Sequence, residues 1–334
     1  MHNECHMELR KDPITRAWVI VGDEEERKLQ TDGHCPFCPG SPNHPQVIAT
    51  LPAEGAAGPV MAMVHPAPLY RIEGDPHRRS EGIYDVMNSV GAHEVLVQNT
   101  RHDTELWQST DAQIAQVLRL AAQRIEDLKK DLRFKYVTVY KNQGAPAGQQ
   151  FDHPTTQLTA TTFVPRRVLN ELRASRDFYL EKERCVFCDM LNQETRSNQR
   201  IVEMRGDYVV FCPFASRVPY EMWIMPRKHE AAFERTIHSK NASLQELAGV
   251  LRRTLQRVNC MAESFHMVLH TVPNTYQKSN ILQYWKTVDE DYHWHIEVLP
   301  VMGSQAKPYF LKEVYYTPIP SELAAERLRA LTVK

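Results

Sequence analysis

Two short stretches with the same cysteine spacing decide the fold: residues 35–40 read CPFCPG, and residues 185–190 read CVFCDM. The second stretch begins 150 residues after the first. After each pair the same order follows: a strand-like apolar run ending at a histidine, an amphipathic helix, a strand, a polar loop, and a histidine that opens another strand. This order, found twice, indicates an internal repeat.

The repeated segments match in their local signals as well as in their order. Apolar residues recur at helical spacing on one face of each predicted helix, and each helix start carries a capping-box pattern. We expect the boundary between the repeats near residues 166–184, in the charged stretch RRVLNELRASRDFYLEKE. The matching positions are the run-ending His102 and His229, the caps Thr110 with Gln113 and Ser243 with Glu246, and the strand-opening His153 and His293.

The CxxC pairs and the matching histidines predict two metal sites. Zinc in proteins is commonly held in a tetrahedron by four Cys and His ligands, and such closed sites are structural. The alternative is that the cysteines are buried thiols or redox pairs. The repeat selects the histidines and gives two ligand sets: Cys35, Cys38, His102 and His153 for the first, and Cys185, Cys188, His229 and His293 for the second.

Composition narrows the possible classes of protein. The 334 residues carry 40 basic and 41 acidic side chains, whereas a dedicated nucleic-acid binder usually has a basic excess. No apolar run is long enough for a membrane span, and the N-terminal residues lack the apolar stretch of a secretory signal. We therefore expect a cytoplasmic protein with no nucleic-acid or membrane partner. The chain has seven cysteines, an odd number, and four of them form the two CxxC pairs. In a reducing compartment this pattern favours metal binding over disulfides.

Five stretches in this order resemble one known family. They are ELRKDPITRAWVIV from Glu8, CPFCPG, GAHEVLVQNTRHD, KNQGAPAGQQFDHPTTQL and HWHIEVLP. Together they look like the galactose-1-phosphate uridylyltransferase family of the histidine-triad superfamily. The resemblance spans nearly the whole chain, to the C-terminal ELAAERLRAL.

The resemblance implies an α+β fold of two tandem histidine-triad-like units, each an antiparallel sheet with packed helices. We place these units at residues 1–165 and 166–334. It implies a homodimer and one or two Zn²⁺ ions per chain on the ligand sets given above, although some relatives place a different metal in the second half. It also implies transfer of a nucleotidyl group from a nucleotide sugar to a sugar phosphate or phosphate, through a covalent nucleotidyl-histidine.

One departure from the family pattern concerns the nucleophile. The family motif His-Pro-His-x-Gln becomes His-Pro-Thr-Thr-Gln here, so Thr155 stands where the attacking histidine is expected, while Gln157 is retained as the phosphoryl contact. A threonine hydroxyl is a weak nucleophile unless a base stands beside it. We therefore predict altered chemistry at this position.

Further departures lie at positions expected to contact substrate. The segment after AWVIV reads GDEEERKLQ, so Lys28 is among the few cations left near the expected position of the phosphate. In the loop before His153, Gln150 replaces a small polar residue of the family. His65 stands in place of a family asparagine. Asn142 and Gly148 are retained, and glycine there would preserve the loop backbone. The substrate-binding candidates are therefore Asn142, Gly148, Gln150 and Lys28.

The second half offers another imidazole. In HWHIE, strand alternation places His293, His295 and Glu297 on one face, and His295 corresponds to Thr155 in the repeat. His295 is thus a third catalytic candidate beside Thr155 and Gln157, with a structural or metal-linked role as the alternative. We interpret His93 in GAHEV as a core histidine.

These observations favour an enzyme similar to hexose-1-phosphate uridylyltransferases, acting on a nucleotide sugar with altered chemistry. The alternative is a non-catalytic or repurposed binding protein for a nucleotide or phosphate ligand, stabilised by zinc. Loss of the nucleophile together with phosphate-binding cations is typical of the second possibility, and retention of Gln157 and its loop is typical of the first.

Overall fold

The computed structural model describes residues 7–22, 34–52, 58–239, 243–276, 285–302 and 314–333. Within them the chain forms a small sheet, a large sheet and helices packed on the large one. The strands are β1 Glu8–Lys11, β2 Trp18–Val21, β3 Val47–Leu51, β4 Val60–Val64, β5 Arg79–Glu81, β6 Tyr84–Asn88, β7 Gly91–Val97, β8 Tyr136–Gln143, β9 Thr155–Thr161, β10 Ile201–Arg205, β11 Tyr208–Phe211, β12 Met222–Pro226, β13 Ser264–His270 and β14 His295–Val301.

Six α-helices accompany these strands in the described residues, together with short 3₁₀ turns. They are α1 Asp111–Lys129, α2 Arg166–Lys182, α3 Val186–Ser197, α4 Leu244–Met261, α5 Val288–Asp291 and α6 Ser321–Ala330. None of the helices described here is both long and apolar enough to cross a bilayer.

In the described part of the chain the large sheet has ten strands in the order β10-β11-β12-β14-β13-β8-β9-β7-β4-β3, and all of its paired neighbours are antiparallel. The small sheet, β2-β1-β6-β5, is also antiparallel. The predicted α+β class, with antiparallel strands and packed helices, is confirmed. The strands of the two repeats join in one sheet where β8 pairs with β13, Phe265 opposite Gln143 and Leu269 opposite Val139.

Helices α1 and α4 pack against each other and cover one face of this sheet. Their starts follow the capping signals in the sequence: the Thr110 hydroxyl accepts a hydrogen bond from the Gln113 backbone N–H, and the Ser243 hydroxyl accepts one from that of Glu246. The apolar stripes of both helices are buried in one continuous core, which explains why two amphipathic helices of this length are stable here.

The charged stretch expected to hold the boundary is itself helical, because it forms α2. Val168 and Leu172 on this helix are buried in a second core together with Phe187 and Tyr292. Residue 165, at the proposed division, is therefore the N-cap of a helix that packs on the second half. The division at 165/166 remains a prediction.

Candidate functional site

The first predicted ligand set is brought together by three separate segments. Cys35 and Cys38 lie on a turn, His102 follows β7, and His153 precedes β9. Their four ligand atoms all lie within 4.8 Å of one another. Cys38 Sγ is 3.4 Å from His102 Nδ1, and Cys35 Sγ is 3.6 Å from His153 Nδ1.

These separations match a tetrahedral zinc site. Zn–S bonds of about 2.3 Å and Zn–N bonds of about 2.0–2.1 Å put sulfur and nitrogen roughly 3.6 Å apart. The other nitrogen of His153, Nε2, lies 3.0 Å from the Asn99 carbonyl oxygen and donates to it. That bond leaves the Nδ1 lone pair directed at the thiols, as is usual for a metal-binding histidine.

The second ligand set converges in the same way. Cys185 is the N-cap of α3 and Cys188 lies in its first turn. The four ligand atoms again lie within 4.8 Å of one another. Cys188 Sγ is 3.3 Å from His229 Nδ1 and 3.6 Å from His293 Nδ1. His229 Nε2 donates to the Asp289 carbonyl at 2.8 Å. Both clusters can therefore bind a metal ion, with chemistry and spacing that suit zinc.

Thr155 is the first residue of β9 and lies half-buried on the sheet face opposite α1 and α4. Its backbone carbonyl accepts a hydrogen bond from the buried ammonium of Lys141, at 3.2 Å. Since Tyr140 pairs with Gln157, Asn142 is level with Thr155 on the neighbouring strand β8. Alternation along the strands places Thr155, Gln157, Tyr140 and Asn142 on one face of the sheet.

Gln157 is held by a defined set of partners. Its Oε1 atom accepts hydrogen bonds from the Tyr140 hydroxyl, at 2.6 Å, and from His93 Nε2, at 3.1 Å. His93 Nδ1 accepts the Leu69 backbone N–H, so Nε2 carries the ring proton and must be the donor. His93 is thus a buried histidine with a partner at each ring nitrogen, which agrees with its interpretation as a satisfied core histidine. Which residue its Nε2 contacts was not predicted.

Gln150 is held by an equivalent arrangement. The Ala67 backbone N–H donates to His65 Nδ1, which leaves His65 Nε2 as the donor to Gln150 Oε1, at 3.1 Å. The same oxygen accepts from Gln157 Nε2 at 3.0 Å. The His65 and His93 rings stack with centroids 3.9 Å apart, so the two glutamines are joined through one network.

The remaining first-half candidates lie beside this network. Asn142 Oδ1 is 2.9 Å from Nδ1 of His266, which reaches across from β13 in the second half. Gly148 has φ of +75° and ends the 3₁₀ turn Ala145–Ala147, a left-handed conformation that favours glycine. Lys28 lies outside the described residues.

His295 opens β14 as Thr155 opens β9, but its surroundings differ. The ring is fully buried between those of Trp223 and His270, with centroids 4.7 and 4.6 Å away. Its Nδ1–H donates to the His293 carbonyl. Burial, with the charge on His270, lowers the pKa of His295 to about 4, so the ring is neutral near pH 7. Strand spacing places it roughly 20 Å from Thr155, so the structure does not bring these two candidates together.

A charged cluster surrounds His295. His270 Nδ1 lies 2.9 Å from Glu171, its Nε2 lies 3.3 Å from Glu297, and Glu297 also pairs with Arg167 and Arg217. Burial alone would lower the pKa of His270, but the two carboxylates outweigh it and raise that pKa to about 10. The four ligand-type side chains of Glu171, His270, His295 and Glu297 are close enough for a metal ion, yet protons and guanidinium groups already supply the positive charge.

Sequence reasoning missed three contributors to the Thr155 face: Tyr140, His266 and the pairing of His65 with His93. Strand periodicity could have found Tyr140, because it alternates with Asn142 on the predicted strand. The contact between His266 and Asn142 depends on the pairing of β8 with β13. No local pattern in the sequence encodes that pairing.

The fold and these sites define a class: an α+β protein built by duplication, with a cysteine–histidine cluster beside the equivalent strand in each half. No family model matches the chain. It is 25% identical to ADP-glucose phosphorylase of Arabidopsis thaliana over 345 residues, covering 98% of this chain and 93% of that protein. It is 26% identical to galactose-1-phosphate uridylyltransferase of Thermotoga maritima over 339 residues, covering 98% and 99%.

A solved structure of a uridylyltransferase superposes with a TM-score of 0.80, at 25% identity, over 97% of this chain and 98% of that one. The predicted resemblance is confirmed: over 97–98% of its length the chain is similar to galactose-1-phosphate uridylyltransferases and to an ADP-glucose phosphorylase. The replacement of the family's nucleophilic histidine by Thr155 remains a prediction. The relatives are nucleotidyl-transferring enzymes, which agrees with the expectation of an enzyme of that type.

Proposed function

We propose that the chain transfers a nucleotidyl group from a nucleotide sugar to a phosphate or sugar phosphate, in one displacement without a nucleotidyl-histidine. The observation that carries this proposal is the position of Thr155, flanked by Gln157 on its own strand and by Asn142 on the next. The activities of the two full-length relatives support the substrate class.

The surroundings of Thr155 argue against a covalent threonine intermediate. Its hydroxyl would need a base, but His65 and His93 present Nε2–H donors, and Lys141 contacts the backbone carbonyl instead. A phosphate acceptor needs no base, because it already carries a nucleophilic oxygen anion. Its oxygen forms the new bond to the α-phosphorus, while the bond from that phosphorus to the departing sugar phosphate breaks. The acceptor oxygen supplies the electron pair of the new bond, and the pair of the broken bond leaves on the oxygen of the departing sugar phosphate.

In this single displacement Gln157 and Asn142 bind oxygens of the reacting phosphoryl group. Thr155 contributes a hydroxyl and leaves the space that an imidazole would fill. Positioned neutral donors of this kind stabilise charge that develops during phosphoryl transfer. Gly148 and Gln150 would support the ligand from the adjoining loop.

We infer that zinc binds at one or both cysteine–histidine clusters. The ligands Cys35, Cys38, His102 and His153 would hold the first ion, and Cys185, Cys188, His229 and His293 the second. Zinc here supplies structural cross-linking, because four protein ligands leave no open position. His153 would thereby be fixed two residues before Thr155.

Turnover of nucleotide sugars tests the proposed function. We expect the purified chain to convert at least one nucleoside diphosphate sugar when phosphate or a hexose 1-phosphate is present. With a substrate chiral at the α-phosphorus, one displacement gives inversion of configuration. Net retention would show two displacements, and absence of turnover across all nucleotides would contradict an enzyme.

A second candidate function is binding of a nucleotide or phosphate ligand without turnover. It is favoured by Thr155 in place of a nucleophile. Calorimetry and turnover measured on one preparation separate the two: binding without conversion of any acceptor supports this second function. We further propose a cytoplasmic homodimer, which light scattering after size-exclusion chromatography and fractionation of expressing cells would test.

A further inference from the structure

Three side-chain amides near Thr155 share one feature: a histidine ring nitrogen lies against each carbonyl oxygen. The amides belong to three of the residues that the sequence selects as ligand contacts. The pairs are His93 with Gln157 at 3.1 Å, His65 with Gln150 at 3.1 Å, and His266 with Asn142 at 2.9 Å.

Backbone contacts decide which way two of these bonds run. His93 Nδ1 accepts the Leu69 N–H, and His65 Nδ1 accepts the Ala67 N–H, so in both neutral rings the proton lies on Nε2. A ring N–H can bond only to an amide oxygen and not to an amide nitrogen. The orientation of Gln157 and Gln150 is therefore fixed by the chain around the histidines.

Fixed orientation determines what the amides can offer to a ligand. Gln157 Oε1 accepts from both Tyr140 and His93, and Gln150 Oε1 accepts from both His65 and Gln157, so each oxygen already has two donors. An amide oxygen has two lone pairs. The hydrogen-bonding capacity that remains on these two amides consists of N–H groups, and Gln150 is exposed to solvent.

The third pair extends the same pattern across the sheet. His266 lies on β13, opposite Asn142 on β8, and donates from Nδ1 to the Asn142 oxygen. The Asn142 NH₂ group is thereby left for other partners. Thr155 is flanked by Asn142 on the neighbouring strand β8 and by Gln157 two residues further along its own strand.

We propose that His65, His93 and His266 are positioning residues that turn three amides into a donor-only surface around Thr155, which selects a phosphoryl group. Phosphoryl oxygens are acceptors, so they match this surface, whereas cations and N–H donors do not. The inference rests on the proposed function, since it concerns the same site, and it gives the three histidines a role that the resemblance does not assign.

Binding of inorganic pyrophosphate to the full-length protein tests this inference, measured by calorimetry. His65→Phe, His93→Phe and His266→Phe each keep an aromatic ring but remove the donor. We expect each variant to bind pyrophosphate about tenfold more weakly, as for loss of one oriented hydrogen bond. His44→Phe is the matched control, because His44 is exposed and, within the described residues, its only hydrogen bond is with the carbonyl of its neighbour Pro45.

Conservative replacements distinguish positioning from a general structural effect. His93→Gln can place an amide N–H near the original Nε2, and His266→Asn can place one near the original Nδ1. We expect these two variants to recover most of the pyrophosphate affinity that the Phe variants lose. At each position, the conservative variant and the Phe variant should have the same midpoint of thermal unfolding.

Each remaining outcome has a defined meaning. Phe variants that bind pyrophosphate as tightly as the wild type would overturn the positioning role and leave the proposed function standing. A wild-type protein that binds neither pyrophosphate nor any nucleotide sugar would overturn both.

Discussion

The Nε2 atom of His270 lies 3.3 Å from the carboxylate of Glu297, and both side chains are buried. Glu297 also accepts from Arg167 and Arg217, which reach it from outside the sheet. Burial would raise the pKa of Glu297, but His270 first and then Arg217 lower it to about 2. Both members of the pair are therefore charged between about pH 2 and about pH 10.

Stability should depend on pH through this pair. The folded pKa of Glu297 lies below its unfolded value, so its contribution is complete above about pH 4.5 and is lost as pH falls towards 2. The folded pKa of His270 is raised, so its contribution is complete below about pH 6.5 and is lost as pH rises towards 10. We expect urea unfolding at a series of pH values to show both losses.

The matched variant for this prediction is Glu297→Gln, which keeps the shape and removes the charge. The difference in unfolding free energy between wild type and variant should be largest between about pH 4.5 and 6.5 and should shrink on both sides. A difference that stays constant from pH 3 to 10 would show that the pair does not titrate as described.

Metal content should follow the two clusters separately. We expect elemental mass spectrometry to find about two zinc ions per chain in the wild type. Cys38→Ser and Cys188→Ser should each retain about one. Unfolding free energy should fall by roughly 4 kcal/mol or more in each, since structural zinc binding is also folding energy. Cys260→Ser is the control, because Cys260 is exposed and belongs to neither cluster. Equal metal content in all three variants would disprove the assignment.

Restoring an imidazole at position 155 tests whether Thr155 stands in the nucleophile's place. We expect Thr155→His, incubated with a nucleoside diphosphate sugar, to gain the mass of one nucleotidyl group in an acid-labile bond. Thr159→His, four residues further along the same face of β9, should gain none. If Thr155→His still binds the nucleotide sugar yet remains unmodified, the position is not aligned with the α-phosphorus.

The two observed helix caps give a prediction on stability. Ser243→Ala and Thr110→Ala each remove a side-chain acceptor from the first turn of a long helix, and each should cost about 1 kcal/mol of unfolding free energy. Ser243→Asn should retain most of that energy, because asparagine caps as well as serine does. Chemical denaturation of the wild type and the three variants would measure these differences, with one common dependence of unfolding free energy on denaturant concentration used for all curves.

Much of the site could be predicted because its signals are local or repeated. The CxxC pairs and the histidines at matching places specify both ligand clusters, and the capping residues specify where α1 and α4 begin. The strand-opening positions also follow from the repeat, with Thr155 and His295 at the starts of β9 and β14.

The remainder depends on contacts between distant segments. Residues 51–83 have no clear period, yet they contain β4 and β5, because β4 gains its stability from pairing with β3 and β7. The stretch 166–182 is rich in charge, but its few apolar residues, among them Val168 and Leu172, are enough to bury one helix face. The role of His93 was hidden for the same reason, since its partners lie at residues 69 and 157.

The pairing of β8 with β13 also determines how the two halves of the chain would behave as separate fragments. In a fragment that ends near residue 165, the backbone N–H and C=O groups of β8 that pair with β13 would face water. In a fragment that starts there, the corresponding backbone groups of β13 would face water. Bare inner strands readily recruit another chain. Each fragment alone should therefore self-associate, and mixing the two should yield a soluble one-to-one heterodimer.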